Sequence, residues 1–176
     1  MASETEALLA DGKLAGAWTL DGAKSSVGLR TKSVWGLVKV NGTFGQVTGA
    51  AVISAAGEAT GTITVAAASI DTGVKKRDDH LRSADFFDAA KYPDITFSAT
   101  SVTLSGENAT VAGTLTVRDQ TRPVTVSGAV SANGTGEISL DAEIPVNRGQ
   151  YGMSFNQLGM MSLDNVIAIH AVFTKA

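Results

Sequence analysis

Apolar and polar residues alternate, position by position, from about residue 16 to the end of this chain. A strand turns successive side chains to opposite faces, so a period of two commits the chain to β-structure with one dry face and one wet. The cleanest case is 136–146, where Ile138, Leu140, Ala142, Ile144 and Val146 face one way and Glu137, Ser139, Asp141 and Glu143 the other. Comparable runs cover 17–20, 27–32, 38–44, 49–54, 61–70, 95–104, 109–118 and 123–130. The last run, 165–174, is apolar on both faces, which predicts a strand covered on both sides, with an N-terminal helix as the candidate cover.

The connections are too short for helical crossovers, so neighbouring strands are antiparallel. Eight or nine such strands must stack as two sheets or close into a barrel to protect their edges. Gly28, Gly42, Gly61, Gly113 and Gly128 fall inside the runs, where they mark the bends that a strongly curved barrel needs.

Residues 73–92 break the pattern with charged, irregular sequence. Leu81, Ala84 and Phe87 or Asp88 fall at helical spacing, predicting a short helix over about 78–84, with the segment ended by Pro93. So long an interruption in a compact domain is usually functional or a lid. At the N-terminus, Ser3 and Glu6 have the spacing of a capping box for a short helix. The start is acidic and the apolar run 7–10 stops at Asp11, unlike a secretory signal. No apolar run approaches the roughly 20 residues of a membrane span. The expectation is a cytoplasmic chain with an N-terminal extension over 1–15 and one domain over 16–176.

Composition narrows the chemistry. A net charge of −3 leaves no basic footprint for nucleic acid and no polycationic patch for anionic lipid headgroups. The absence of cysteine removes disulfides, thiolate nucleophiles and cysteine metal sites together. Phosphate-cradling glycine loops and nucleophile-elbow motifs are missing too. The two histidines, His80 and His170, stand far apart, which makes a weak case for a metal.

Polar candidates concentrate in and near the interruption. His80 sits among Asp78, Asp79 and Arg82, a pattern compatible with a general base and its orienting carboxylate. The same charges can simply hold a loop to a barrel rim, and that reading is favoured. Arg77-Asp78 and Asn147-Arg148 either bond each other or the loop backbone, or meet a ligand headgroup. Phe86, Phe87, Tyr92, Met153 and Phe155 are core or channel mouth, where methionine adapts to varied ligands. Trp35 lies beside a bend, as a packed corner or a lining residue.

Seven stretches together resemble the YceI family of lipocalin-like proteins. They are Trp18-Thr19-Leu20-Asp21 with Ser25-Ser26-Val27; Gly42-Thr43-Phe44; Ala68-Ser69-Ile70-Asp71-Thr72-Gly73; Arg77-Asp78-Asp79-His80-Leu81-Arg82-Ser83-Ala84-Asp85-Phe86-Phe87-Asp88; Tyr92-Pro93-Asp94-Ile95-Thr96-Phe97; Gly113-Thr114-Leu115-Thr116-Val117-Arg118; and Asn147-Arg148 with Tyr151-Gly152-Met153. The resemblance covers about 16–174. It implies an all-β, extended eight-stranded antiparallel barrel whose apolar channel holds a polyisoprenoid chain, such as the tail of an isoprenoid quinone. The sequence departs from the family in lacking a secretion signal and in having Lys32-Ser33 where the family often has Lys-His.

On this reading the channel wall comprises Leu29, Trp35, Phe44, Ile63, Val65, Phe86, Phe87, Tyr92, Phe97, Leu115, Val126, Ile144, Met153, Phe155 and Ile169. Arg77, Asp78, His80, Asn147 and Arg148 are the rim or headgroup candidates. The expected partner is a lipid, with no metal, no further cofactor, no nucleic acid and no stable membrane span; a homodimer is left open. Two other classes compete. One is an isomerase or hydrolase working on an apolar substrate through His80 with Asp78 or Asp79. The other is a packed-core sandwich that binds a protein partner.

Overall fold

The computed structural model describes residues 3–33, 35–153 and 162–176. Its strands are β1 (Gly16–Leu20), β2 (Ser26–Ser33), β3 (Val38–Phe44), β4 (Val47–Ile53), β5 (Ala59–Ala66), β6 (Ile70–Asp71), β7 (Asp94–Ser105), β8 (Asn108–Val117), β9 (Gln120–Asn133), β10 (Glu137–Asn147) and β11 (Asp164–Lys175). Eight of them, in the order β1-β4-β5-β7-β8-β9-β10-β11, close on themselves through a β1–β11 pairing. Closure removes the free edges that would otherwise template aggregation. Every pairing is antiparallel, as the short connections require.

β11 is shared between two neighbours. Its C-terminal part pairs with β1 (Leu20 opposite Phe173), and its N-terminal part with β2 (Val27 opposite Ile169, Arg30 opposite Val166). β2, β3 and β6 therefore extend the wall at the end where β11 begins. The other end carries α1 (Glu4–Ala10). Ser3 caps α1, its Oγ accepting from the Glu6 N–H at 3.1 Å and donating to the Gly106 carbonyl at 2.9 Å. Thr5 Oγ1 accepts from the Ala132 N–H on β9 at 2.9 Å. Leu14, in the turn that follows, is buried, and Trp18 Nε1 donates to its carbonyl at 2.9 Å. The segment set apart in sequence as an extension thus docks on the barrel end.

The inward faces read as the alternation predicts: Ala142, Ile144 and Val146 on β10 are buried, as are Val111, Leu115 and Val117 on β8. The cover of β11 is a correction. α1 packs chiefly against β9. The outward Val172 is instead buried under the turn before β2, where Asp21 N–H donates to its carbonyl at 2.7 Å and its own N–H donates to Ser25 Oγ at 2.9 Å.

Two boundaries also differ. The run expected to continue to Ile70 breaks into a 3-10 turn at Ala67–Ser69. Ser69 Oγ donates to the Ala66 carbonyl at 2.6 Å and accepts from Gln46 N–H at 3.2 Å, a side chain competing with the strand ladder. The helix expected at 78–84 is α2 (Lys75–Leu81). No side chain of its cap residue, Val74, satisfies it; Asp78, buried, reaches back instead to Thr72.

Candidate functional site: the barrel interior

The inward side chains leave space at both ends of the barrel. At the α2 end a cavity of about 100 Å³ is lined by apolar groups including Leu29, Val40, Leu81, Phe86, Phe87 and Met153. At the α1 end a cavity of about 120 Å³ is lined by Leu9, Leu14, Trp18, Ala51, Val111 and Phe173 among others. Between them lies a waist of about 20 Å³. The waist shares Phe44, Ile95 and Ile167 with the first cavity and Ile63 and Phe97 with the second. One apolar wall therefore runs the length of the barrel, pinched in the middle. Cavities of this size and lining stay dry and accept apolar guests.

Residues chosen from sequence fall into three places. Leu29, Phe86, Phe87 and Met153 line the α2-end cavity, and Val65, Leu115, Ile144 and Ile169 the waist; Phe44 lines both, and Ile63 and Phe97 line the waist and the α1-end cavity. Val126 is buried in the core but lines none of the three. Tyr92 lies outside the channel, half-buried, with the Arg118 guanidinium 5.7 Å from its ring centre. Trp35, expected at a packed corner or the wall, is 65% exposed in the β2–β3 turn. Phe155 lies outside the described residues. The α1-end cavity was missed apart from Ile63 and Phe97. Trp18, on the short run 17–20, is the lining residue that the alternation offered and the channel wall left out.

The polar residues at the α2 end are mostly occupied in holding that end together. Thr72 is the hub. Asp78 accepts from its N–H at 2.9 Å and its hydroxyl at 2.5 Å, while Arg77 donates to its hydroxyl and its carbonyl, both at 2.7 Å. Arg82 adds bonds to the carbonyls of Ala68 and Ile70. These bonds strap α2 to the segment before it, and Arg77 still lines the cavity. Asn147 accepts from the Gly149 N–H at 2.9 Å and caps the 3-10 turn Arg148–Tyr151.

Arg148 is buried, only 5% exposed. Its Nη1 donates to the Met153 carbonyl at 2.5 Å, its Nε to the Ser162 carbonyl at 3.0 Å, and its guanidinium lies 5.4 Å from the Phe86 ring centre. Burial pulls its pKa below the ordinary arginine value. Arginine starts so high that the group stays charged at neutral pH. The nearby Tyr151 hydroxyl is pushed up by burial, against a smaller opposing effect of Arg122. Replacing Arg148 with methionine keeps much of the volume but strands two carbonyls. The expected loss is about 2–3 kcal/mol of unfolding free energy, read by urea denaturation. Lysine at the same position should not restore it, because a single ammonium cannot span both acceptors.

His80 does not meet the carboxylates proposed for it. Its Nε2 lies 2.8 Å from Asp85, and its ring stands edge-on to Phe86. Asp79 is exposed and engaged by Lys75 at 2.8 Å and Arg82 at 3.1 Å; the Lys75 hydrogen bond leads in holding its carboxyl below the usual value. None of His80, Asp78 and Asp79 lines the cavity. Among the described residues no cluster of three or more histidines, cysteines or carboxylates could hold a metal ion.

A family model described as YceI-like domain matches residues 18–174. Protein YceI of Escherichia coli O157:H7 is 43% identical over 72 residues, 41% of this chain and 38% of that protein, so the aligned part spans well under half of the relative. Among solved structures, BcnA of Burkholderia cenocepacia superposes with a TM-score of 0.79 at 26% identity, over 87% of this chain and 98% of that one. A polyisoprenoid binding domain from Saccharophagus degradans gives a TM-score of 0.75 at 16% identity, over 90% and 98% of the respective chains.

Proposed function

The chain belongs to the YceI-like family, and from that premise we propose that it binds one long apolar molecule of polyisoprenoid type along the barrel axis, for carriage, storage or sequestration. The observation that carries this reading is the single apolar wall joining both cavities through the waist. Burial gains about 0.8 kcal/mol per methylene and makes no directional demand, so length and apolarity are all that such a site requires. The Saccharophagus degradans neighbour, described as polyisoprenoid-binding, shares the fold and supports the same reading.

The ligand enters at the α2 end, where Lys32, Arg77 and Arg148 are among the residues lining a mostly apolar cavity. A polar or anionic headgroup rests there while the tail passes the waist. The waist leaves only about 20 Å³ between its side chains, so Phe44, Ile63, Phe97 and their neighbours must yield for the tail to pass. Binding rather than catalysis fits His80, Asp78 and Asp79, which converge on nothing in the cavity.

Native mass spectrometry of the purified protein, beside mass spectrometry of its solvent extract, tests the reading. A stoichiometric isoprenoid lost on extraction is the expected result. A protein that is empty as purified and also takes up no added prenyl quinone would overturn it.

A further inference from the structure

The outer rim of the α2 end carries a feature that ligand binding does not explain. Among the described residues, six large hydrophobic side chains are exposed, and all but Val52 belong to this end: Trp35 at 65%, Leu37 at 82%, Val38, Val74 and Leu163. Trp35, Leu37 and Val38 form the tip of the β2–β3 hairpin, which projects beyond the start of β11. Val74 precedes α2, and Ser162, next to Leu163, donates from its N–H to the Lys32 carbonyl at 3.0 Å. Trp35 also adopts a left-handed backbone (φ 53°), unfavourable for a bulky residue, while presenting its ring to water.

Charge is sorted along the barrel axis as well, so the net charge of −3, which in sequence argues against a polycationic patch for anionic headgroups, does not describe each end. Between Asp21 and Glu58 the chain contains no carboxylate; Arg30, Lys32 and Lys39 lie on β2 and β3, while Lys24 pairs with Glu137 towards the opposite end. Lys75 and Lys76 open α2. Asp88, Asp94 and Asp119 also lie at this end, but several of its other carboxylates are engaged within the protein. Asp78 bonds Thr72, Asp71 accepts from Gly73 N–H, Asp79 pairs with Lys75 and Arg82, and Glu143 pairs with Arg30. Asp164 shares an open groove with Lys32 and Lys39. Among the described residues none of the carboxylates pairs with Lys32, Lys39 or Lys76. The opposite end is acidic on balance: Glu4, Glu6, Asp11, Glu58, Glu107 and Glu137 outnumber Lys13, Lys24 and Lys175 there.

We propose that the α2 end is a docking surface for an anionic lipid bilayer, with Trp35 and Leu37 entering the interface and Lys32, Lys39 and Lys76 meeting the headgroups. Tryptophan favours the headgroup level, lysine stems lie along apolar surface while their ammonium groups reach out, and the acidic end is turned away. Docking by an apolar tip and a basic ring together gives reversible attachment without a spanning segment. It also sets the cavity opening against the layer that would supply an apolar ligand.

The protein has two tryptophans, and Trp18 is buried, so a change in emission on membrane contact reports Trp35. Emission and flotation are measured with phosphatidylcholine vesicles, with and without phosphatidylglycerol, in low and high salt. The expected result is a blue shift and flotation with the anionic vesicles alone, weakened by salt. Trp35→Ser with Leu37→Ser, and separately Lys39→Glu with Lys76→Glu, should each lower partitioning by about tenfold or more. The unchanged buried emission of Trp18 in the first variant shows that it has folded. No flotation at low salt overturns the proposal, as does equal binding to neutral vesicles. A dimer of the parent protein in sedimentation that dissociates in the serine variant would also overturn it, assigning the tip to a second copy. The readout needs no ligand, so it fails or succeeds apart from the polyisoprenoid reading.

Discussion

Replacing Gly113 with alanine is expected to cost about 3 kcal/mol or more, among the largest losses available to a single methyl group in this barrel. Gly113 faces β7 where the barrel wall bends and the β7–β8 register slips between Ala99 and Ser101. A Cβ at this position would stand 2.0 Å from the Ser98 carbonyl oxygen and 2.9 Å from Ala99 Cα. Both are backbone atoms inside a hydrogen-bonded ladder, so no side chain can swing away to relieve the clash. The two strands must separate, and the neighbouring inward residues Val111 and Leu115 lose their packing. Total stabilities lie at about 5–15 kcal/mol, so this loss takes a large share of the margin. Gly106 supplies the contrast. It has a positive φ of 64° in the β7–β8 turn and nothing within 4 Å of an added Cβ. Alanine there should cost only about 1 kcal/mol, the conformational penalty alone. Urea denaturation of the two variants separates the mechanisms. Equal losses would mean that the close approach of β7 and β8 at Gly113 does not exist.

That glycine shows what was legible in the chain and what was not. Its place inside an apolar run marked a bend, and the bend is there. The identity of the atom it avoids, a carbonyl on β7, is a tertiary fact that no local pattern contains. The strands themselves were legible because one dry face imposes a period of two, and a one-residue slip would reverse every side chain. Closure was legible only as one of two answers to the edge problem. What decides it is β11, whose 12 residues serve β1 with one half and β2 with the other.

The interior site was partly legible for the same reason. Leu115, Ile144 and Ile169 had to point inward once their strands existed. Whether an inward residue touches empty space or a neighbour depends on the opposite wall, which is why Val126 is core and Leu115 lines the waist. Trp35 shows the converse error. An aromatic beside a bend reads as packed, yet the hairpin carries it past the end of the barrel into water. The charged block 77–88 has the composition of a catalytic cluster. Its carboxylates and guanidiniums instead strap a loop, because Thr72, five residues before Arg77, offers both a backbone N–H and a hydroxyl to bind.

The α1-end cavity gives the binding proposal its sharpest quantitative consequence. Ala51 lies on the inward face of β4, between Gly49 and Ile53, and lines that cavity opposite Gly61. Phenylalanine at this position would place its ring in a space of about 120 Å³ that no other side chain fills. The fold should survive, since the ring enters a void, with a cost below the roughly 1–3 kcal/mol of overpacking a filled core. The cavity at the α2 end and the Lys32–Arg77 opening are untouched. Short prenyl chains, held at the α2 end alone, should therefore bind Ala51→Phe as they bind the parent. A longer chain that threads the waist loses its terminal isoprene unit from the site. Five carbons at about 0.8 kcal/mol each make about 4 kcal/mol, or about three orders of magnitude in Kd. Calorimetric titration with prenyl quinones of increasing length reads this as a break. Affinity should climb with length in the parent and level off in the variant. Parallel climbs in both proteins would show that the ligand never passes Phe44, Ile63 and Phe97. The channel would then be a single α2-end pocket, and the space behind the waist only a packing defect sealed by α1.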